Sequence, residues 1–247
     1  MLKGEISLDT WIKRSVITIV LMLLAGGYVI PFRNGNGYIM PAEQLLGLMS
    51  ARFSRFHTVL LTQSTQLMTT GEEDRETISF EEKVWIQSPG LYGSLVVPEI
   101  EGRDMTPEDI QSLRLDVDSG YRKLLVANTA GNLSTYLMEW GIDRETVSLT
   151  RINGVIAFCI GKSPKEGPRL LIEKERFLPL LLSHRATLGQ ETREVEVRFE
   201  DYRKTQNGWF PFRIEYFLDG EPVEKYIVLE ANFNVSLPSG LIKNNPQ

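Results

Sequence analysis

The sequence predicts an α+β fold, mainly antiparallel β: a curved sheet over a single core, with helices set against its concave face. Residues 58–68, 78–88, 91–97, 147–151, 155–160, 169–173, 192–202, 209–218 and 224–235 read as strands. Several are joined by turns too short for a parallel crossover, so neighbours run antiparallel. Many alternate apolar with polar residues, as a sheet with one face on a core and one in water requires. Amphipathic helical stretches before and between the strands supply the remaining apolar surface.

The first helix is expected over residues 41–56. Leu45, Leu48, Met49, Phe53 and Phe56 recur at helical spacing, and Pro41 suits a first turn. In 78–88, Phe80, Val84 and Ile86 share one face while Glu81, Lys83 and Trp85 share the other. Residues 69–74 and 88–90 are turns. Thr106-Pro107-Glu108-Asp109 combines a cap residue, an early proline and early acids, which opens a helix. Residues 121–127 fit either strand or helix. Asn132 is expected to cap a helix running through Glu139, with Leu133, Tyr136, Leu137 and Trp140 as its stripe and Gly141 as its stop. Asn153-Gly154, Asn207-Gly208 and Asp219-Gly220 mark hairpin turns. Val195, Val197 and Phe199 share a face in one late strand; Ile227, Leu229, Ala231, Phe233 and Val235 are expected to share one in the last.

The chain has 247 residues, 42% hydrophobic and 24% charged, which is enough apolar material for one sizeable core. A formal net charge of -5 argues against nucleic acid as a partner. The single cysteine, Cys159, lies among Ala157, Phe158 and Ile160, so no intramolecular disulfide forms and the thiol reads as a small hydrophobe. His57 and His184 stand in no metal-ligand spacing, and neither G-x-S-x-G nor a P-loop occurs. Asp116-Val117-Asp118-Ser119-Gly120 looks like the start of a calcium loop, but the twelfth position is Ala127. The sequence therefore indicates no catalytic residues, no metal and no cofactor, and the expectation is of a non-enzyme.

Residues 15–32 carry no charge between Arg14 and Arg33, and the basic pair Lys13-Arg14 precedes them. A basic patch before an apolar run is the pattern of a secretory signal, and Ala25-Gly26-Gly27 offers small residues for cleavage. The rival is an uncleaved anchor, since the run spans about 27 Å as a helix. The expected organisation is thus 1–37 as signal peptide or N-terminal membrane anchor plus linker, and 38–247 as a single domain. Export to the periplasm follows, with cleavage favoured over anchoring.

Three stretches, taken in order, resemble the LolA/LolB family of periplasmic lipoprotein carriers. They are Phe56-His57-Thr58 through Thr62-Gln63 behind an amphipathic helix; Val84-Trp85-Ile86-Gln87-Ser88-Pro89; and Leu171-Ile172-Glu173-Lys174-Glu175-Arg176-Phe177-Leu178-Pro179. Phe210-Pro211 through Tyr216, and Ala231-Asn232-Phe233-Asn234-Val235 before Pro238, are similar to the family's closing strands.

The resemblance implies an incomplete, half-open β-barrel with a helical lid in its concave face, around a hydrophobic cavity that takes acyl chains. It implies a monomeric carrier or chaperone that moves a lipid or lipoprotein toward the outer membrane. An inner-membrane exporter and an outer-membrane acceptor would be its partners. Ser88 stands where LolA has the arginine that latches its lid, and the insertion 99–142 is longer than the family's. An envelope sensor or protein-binding module built on the same domain is the alternative function. Facing arguments give the expected ligand-binding cavity: Leu48, Met49 and Trp140 from helices, with Leu61, Val84, Ile86, Leu95, Val97, Phe158, Val197 and Phe199 from strands. The same residues would equally fill a solid core.

Overall fold

The computed structural model of the chain describes residues 39–68, 77–88, 91–97, 106, 109–110, 114, 120–126 and 128–237. The export signal or anchor, the turn at 69–74 and the calcium-like stretch at 116–119 lie outside the described residues. Residues Ile39–Gln247 belong to one compact unit.

Ten strands are described: β1 Thr58–Met68, β2 Thr77–Gln87, β3 Leu91–Val96, β4 Val147–Ile152, β5 Val155–Ile160, β6 Arg169–Glu173, β7 Pro179–Leu188, β8 Glu191–Lys204, β9 Trp209–Leu218 and β10 Glu221–Phe233. They form one sheet in the order β3-β2-β1-β10-β9-β8-β7-β6-β5-β4, antiparallel at every described pairing. β3 and β4 are its two ends and do not pair with each other, so the barrel is incomplete. The helices are α1 Ala42–Phe53, α2 Gly120–Leu125 and α3 Ala130–Glu139.

Nine strands and the first helix stand within a few residues of their expected places. The tenth, β7, was not expected. Its first six positions are buried or half-buried on both faces, so its sequence shows no alternation. A small cluster on the outer face explains this: Leu181 of β7 packs there with Ala157, Cys159 and Leu171. Cys159 is fully buried in that cluster, its thiol faces the carbonyl of Ser163 at 3.7 Å, and burial pushes its pKa up.

Residues 121–127, ambiguous in the sequence, are mostly helical, as α2. The cap of α3 is Thr129 and not Asn132: the Thr129 hydroxyl accepts the Asn132 N–H at 3.2 Å. Gly141 ends the helix region with φ +70°, as a left-handed stop demands. The Asn153-Gly154 and Asp219-Gly220 turns both have positive φ at both residues, the geometry that joins adjacent twisted strands.

Register decides which side chains face inward. Val59, Leu61, Gln63, Thr65 and Leu67 of β1 stand opposite Ile86, Val84, Glu82, Phe80 and Ile78 of β2, and all of these face the core. In β10 the pairing shifts between Thr62 and Gln63, which leaves Leu229 as an extra residue. The single apolar face expected along β10 is therefore broken. Ala231 and Phe233 pack on the core, while Leu229 is 51% exposed on the other side of the bulge.

Candidate functional site: the concave face

The concave face is an apolar wall closed by helices. Val59, Leu61, Val84 and Ile86 form its start, and Phe158, Ile172, Leu182, Val197, Phe199 and Ile214 continue it across the sheet. Against it lie Leu45, Leu46, Met49 and Phe53 of α1, Leu124 and Leu125 of α2, and Leu133 and Leu137 of α3. These helices have 12, 6 and 10 residues, lengths at which an isolated helix is marginal in water. Their stability comes from the wall they cover.

Most of the residues expected to line a cavity meet here. Met49, Leu61, Val84, Ile86, Trp140, Phe158, Val197 and Phe199 belong to one buried cluster. Trp140 stacks on His184 with ring centroids 5.7 Å apart. Three do not join it. Leu95 is 54% exposed and lies opposite Lys83, on the outer face. Val97, two residues on, shares that side. The inward residues of β3 are Tyr92, Ser94 and Val96, paired with Ile86, Val84 and Glu82. Leu48 is half-buried beside α1's contact face, whose members are Ala42, Leu45, Leu46, Met49 and Phe53.

A polar belt, unforeseen from the sequence, crosses this wall. Glu82 of β2 is 1% exposed on the same face as Phe80, Val84 and Ile86. Its Oε1 accepts from the Thr65 hydroxyl at 2.6 Å, from Gln63 Nε2 at 2.9 Å and from Arg114 Nη2 at 2.6 Å. Arg114 Nη1 also reaches Ser94 at 3.5 Å. Among the described residues, Glu82 Oε2 and Arg114 Nε have no hydrogen-bond partner, so the ion pair is end-on and not bidentate. Burial is the largest single influence and works against the Arg114 charge, but Glu82, Tyr226 and Tyr92 together outweigh it, and the guanidinium pKa stands above its ordinary value. Next to the pair, the buried Arg122 lies over the Tyr92 ring at 3.3 Å, and Tyr226 donates to the buried Glu224.

The belt separates two apolar regions. On one side is the main wall; on the other are Leu67, Ile78, Phe80 and Ile110, with Val96 packed against them. Ile110 and Arg114 both come from the insertion, within which Thr106 and Asp109 bond to each other. Arg114 also lies over the Phe80 ring at 5.6 Å. The insertion is thus pinned to the concave face by a charge pair at one point and by apolar contacts around it. The signal for the strand half of the belt was present in the sequence: Glu82 is in phase with Phe80 and Val84, and Gln63 and Thr65 are in phase with Leu61 and Leu67.

An open depression of about 490 Å³ lies at the end of α3, lined by Met138, Gly141, Ile142, Asp143, Arg144, Glu145 and Lys162. Its lining is largely charged, which suits no acyl chain. Among the described residues no group of three or more His, Cys, Asp or Glu is placed to hold a metal ion. Among them, too, no helix is long and apolar enough to cross a membrane.

No family model matches the chain, and no curated protein matches it. Solved structures do. A putative outer membrane lipoprotein-sorting protein domain from Vibrio parahaemolyticus is 12% identical, with a TM-score of 0.48 over 81% of this chain and 96% of its own. A LolA superfamily protein from Nitrosomonas europaea is 10% identical, with a TM-score of 0.45 over 83% and 98%. A DUF1329 family protein from Desulfovibrio piger is 11% identical, with a TM-score of 0.43 over 82% and 96%. At these identities the likeness is one of chain path alone.

Proposed function

We propose that the protein is a periplasmic carrier that takes the acyl chains of a lipid or lipoprotein against the concave face of its open sheet. The observation that carries this reading is the wall itself: an extended apolar surface covered, among the described residues, mainly by short helices. An acyl chain needs a dry apolar surface and no catalytic group, and its burial contributes ~0.8 kcal/mol per CH₂. Exchanging helix side chains for methylenes replaces one apolar contact with another, so uptake costs little beyond moving the helices. Leu61, Val84, Ile86, Phe158, Val197 and Phe199 form the proposed cargo wall, and Met49 and Trp140 face it from the helical cover. The ordered motifs similar to those of the LolA/LolB family support the same reading. Transport toward the outer membrane, with an exporter and an acceptor as partners, belongs to it.

Two measurements test it together. Native mass spectrometry of the chain purified from the periplasm should show a bound lipid. A Phe199→Trp variant built on Trp140→Phe should be quenched by a brominated fatty acid more strongly than Trp140→Phe alone, because position 199 lies in the wall. A chain that emerges empty and is not quenched is no carrier.

A further inference from the structure

One end of the sheet is built unlike the rest of the surface. There the β4–β5 hairpin ends in Asn153-Gly154, and its tip is apolar on both faces. Ile156, opposite Arg151, is 42% exposed on the side shared with Phe158, where Leu149 is also 49% exposed. Val155, paired with Ile152, is 36% exposed on the other side. A hairpin with water on both sides should be polar at such positions. Exposed aliphatic residues gathered at a tip mark a contact with something apolar.

The charge around the tip indicates what that is. The β6–β7 turn lies beside it, since Lys174 N–H donates to the Ile156 carbonyl at 3.0 Å. Phe177 of that turn stacks on Phe158 and carries Arg52 over its ring, and Arg176 lies over Trp209. These contacts join the hairpin, the end of α1 and the β8–β9 turn into one surface. On it Arg52, Arg55, Arg151, Lys174 and Lys204 have no ion-pair partner among the described residues. Of the acids there, Glu173 is taken by Arg176 and Asp201 by Arg203, which leaves Glu175. At the opposite end of the sheet the turns carry Glu191 and Glu221, while Asp219 is held by Arg193. In a chain of net charge -5 this end is locally cationic.

We infer that this end docks on an anionic lipid bilayer, with the β4–β5 tip set among the head groups and the surrounding cations over lipid phosphates. Aliphatic insertion combined with attraction to anionic lipid is how a monotopic element holds a membrane surface. The inference does not depend on what the concave wall carries.

The test uses the full chain with vesicles of phosphatidylcholine alone or with one part in four phosphatidylglycerol. A polarity-sensitive fluorophore is placed on Ile156→Cys, and in a second protein on Glu191→Cys at the far end; buried Cys159 stays unlabelled. The label at 156 should shift to the blue with phosphatidylglycerol vesicles and not with phosphatidylcholine, while the label at 191 stays in water. Adding Arg151→Gln and Lys174→Gln should raise the lipid needed for that shift about 30-fold, roughly fivefold for each cation removed. An unshifted label at 156, an equal shift with both vesicles, or a shift that follows protein concentration without vesicles, as a second copy covering the tip would give, overturns the inference.

Discussion

A carboxylate on an apolar face must be neutralised where it stands, and for Glu82 the guanidinium comes from Arg114, 32 residues along the chain. The two side chains are 1% and 2% exposed, so neither charge can fall back on water. Removing one partner strands the other, and Arg114→Ala should cost about 3–5 kcal/mol in urea unfolding. The double replacement Glu82→Leu with Arg114→Met should recover most of that loss, since an apolar pair needs no compensation. A single variant within about 0.5 kcal/mol of the parent would mean that water reaches the pair. Half of this belt was legible: a Glu in phase with Phe80 and Val84 is visible along one strand. The other half was not, because the insertion's docking point is set by tertiary contact and leaves no local pattern. Asp219 shows the opposite case, an exposed acid held by its turn. It accepts the Glu194 N–H at 2.9 Å and Arg193 Nε at 2.6 Å, and these bonds lower its pKa. Its folded value lies below the unfolded one, so its contribution is present above the ordinary aspartate range near pH ~3.9 and is lost as pH falls through the folded value. Asp219→Asn should therefore lower the urea midpoint slightly at neutral pH and flatten its fall between about pH 5 and pH 3, so that the two proteins converge in acid. An unaltered acid slope would show that other carboxylates dominate.

Elements were legible where local chemistry sets them and obscure where packing does. Asn153-Gly154 and Asp219-Gly220 announced their hairpins because positive φ at two successive residues is affordable to few side chains. β7 announced nothing, since Leu182 and His184 face the concave core while Leu181 fills the outer cluster. The facing of Leu229 failed for a third reason: one bulged residue reverses inside and outside along the remainder of β10. Leu95 and Val97 show the same sensitivity, as a short strand carries too few residues to fix its phase. What fixes β3 is Gly93. It lies opposite Trp85, whose indole covers it, and a Cβ there would stand 2.6 Å from the indole Nε1. Trp85 is 7% exposed on the outer face because it has that glycine to lie on. Gly93→Ala should cost about 1–3 kcal/mol by overpacking and loosen the β2–β3 pairing first. Amide exchange speeding up in β3 more than in β9 would locate the damage; uniform acceleration would place it elsewhere.

At the scale of the molecule, the antiparallel order follows from short turns, whereas the opening between β3 and β4 is a property of closure that no segment encodes. The same holds for the division of labour between sheet and helices. Each inner strand is hydrogen-bonded along both edges, so it can open only with its neighbours. The helices are tied to the wall by side-chain contact, and the insertion ahead of α2 is tied to it by the buried Arg114–Glu82 pair. Local opening free energies should therefore be highest in β1, β8, β9 and β10 and lower in α1, α2 and α3. A cargo that takes over the wall must displace those helices and cannot displace the strands. Loading the chain with an acyl ligand should then slow amide exchange in the inner strands and hasten it in α1 and α3. A ligand bound elsewhere would leave the helices as protected as before. Solid-core packing without cargo would show no bound ligand and no change in either set. Hydrogen exchange on the loaded and empty chain separates these outcomes, because only displacement moves strands and helices in opposite directions.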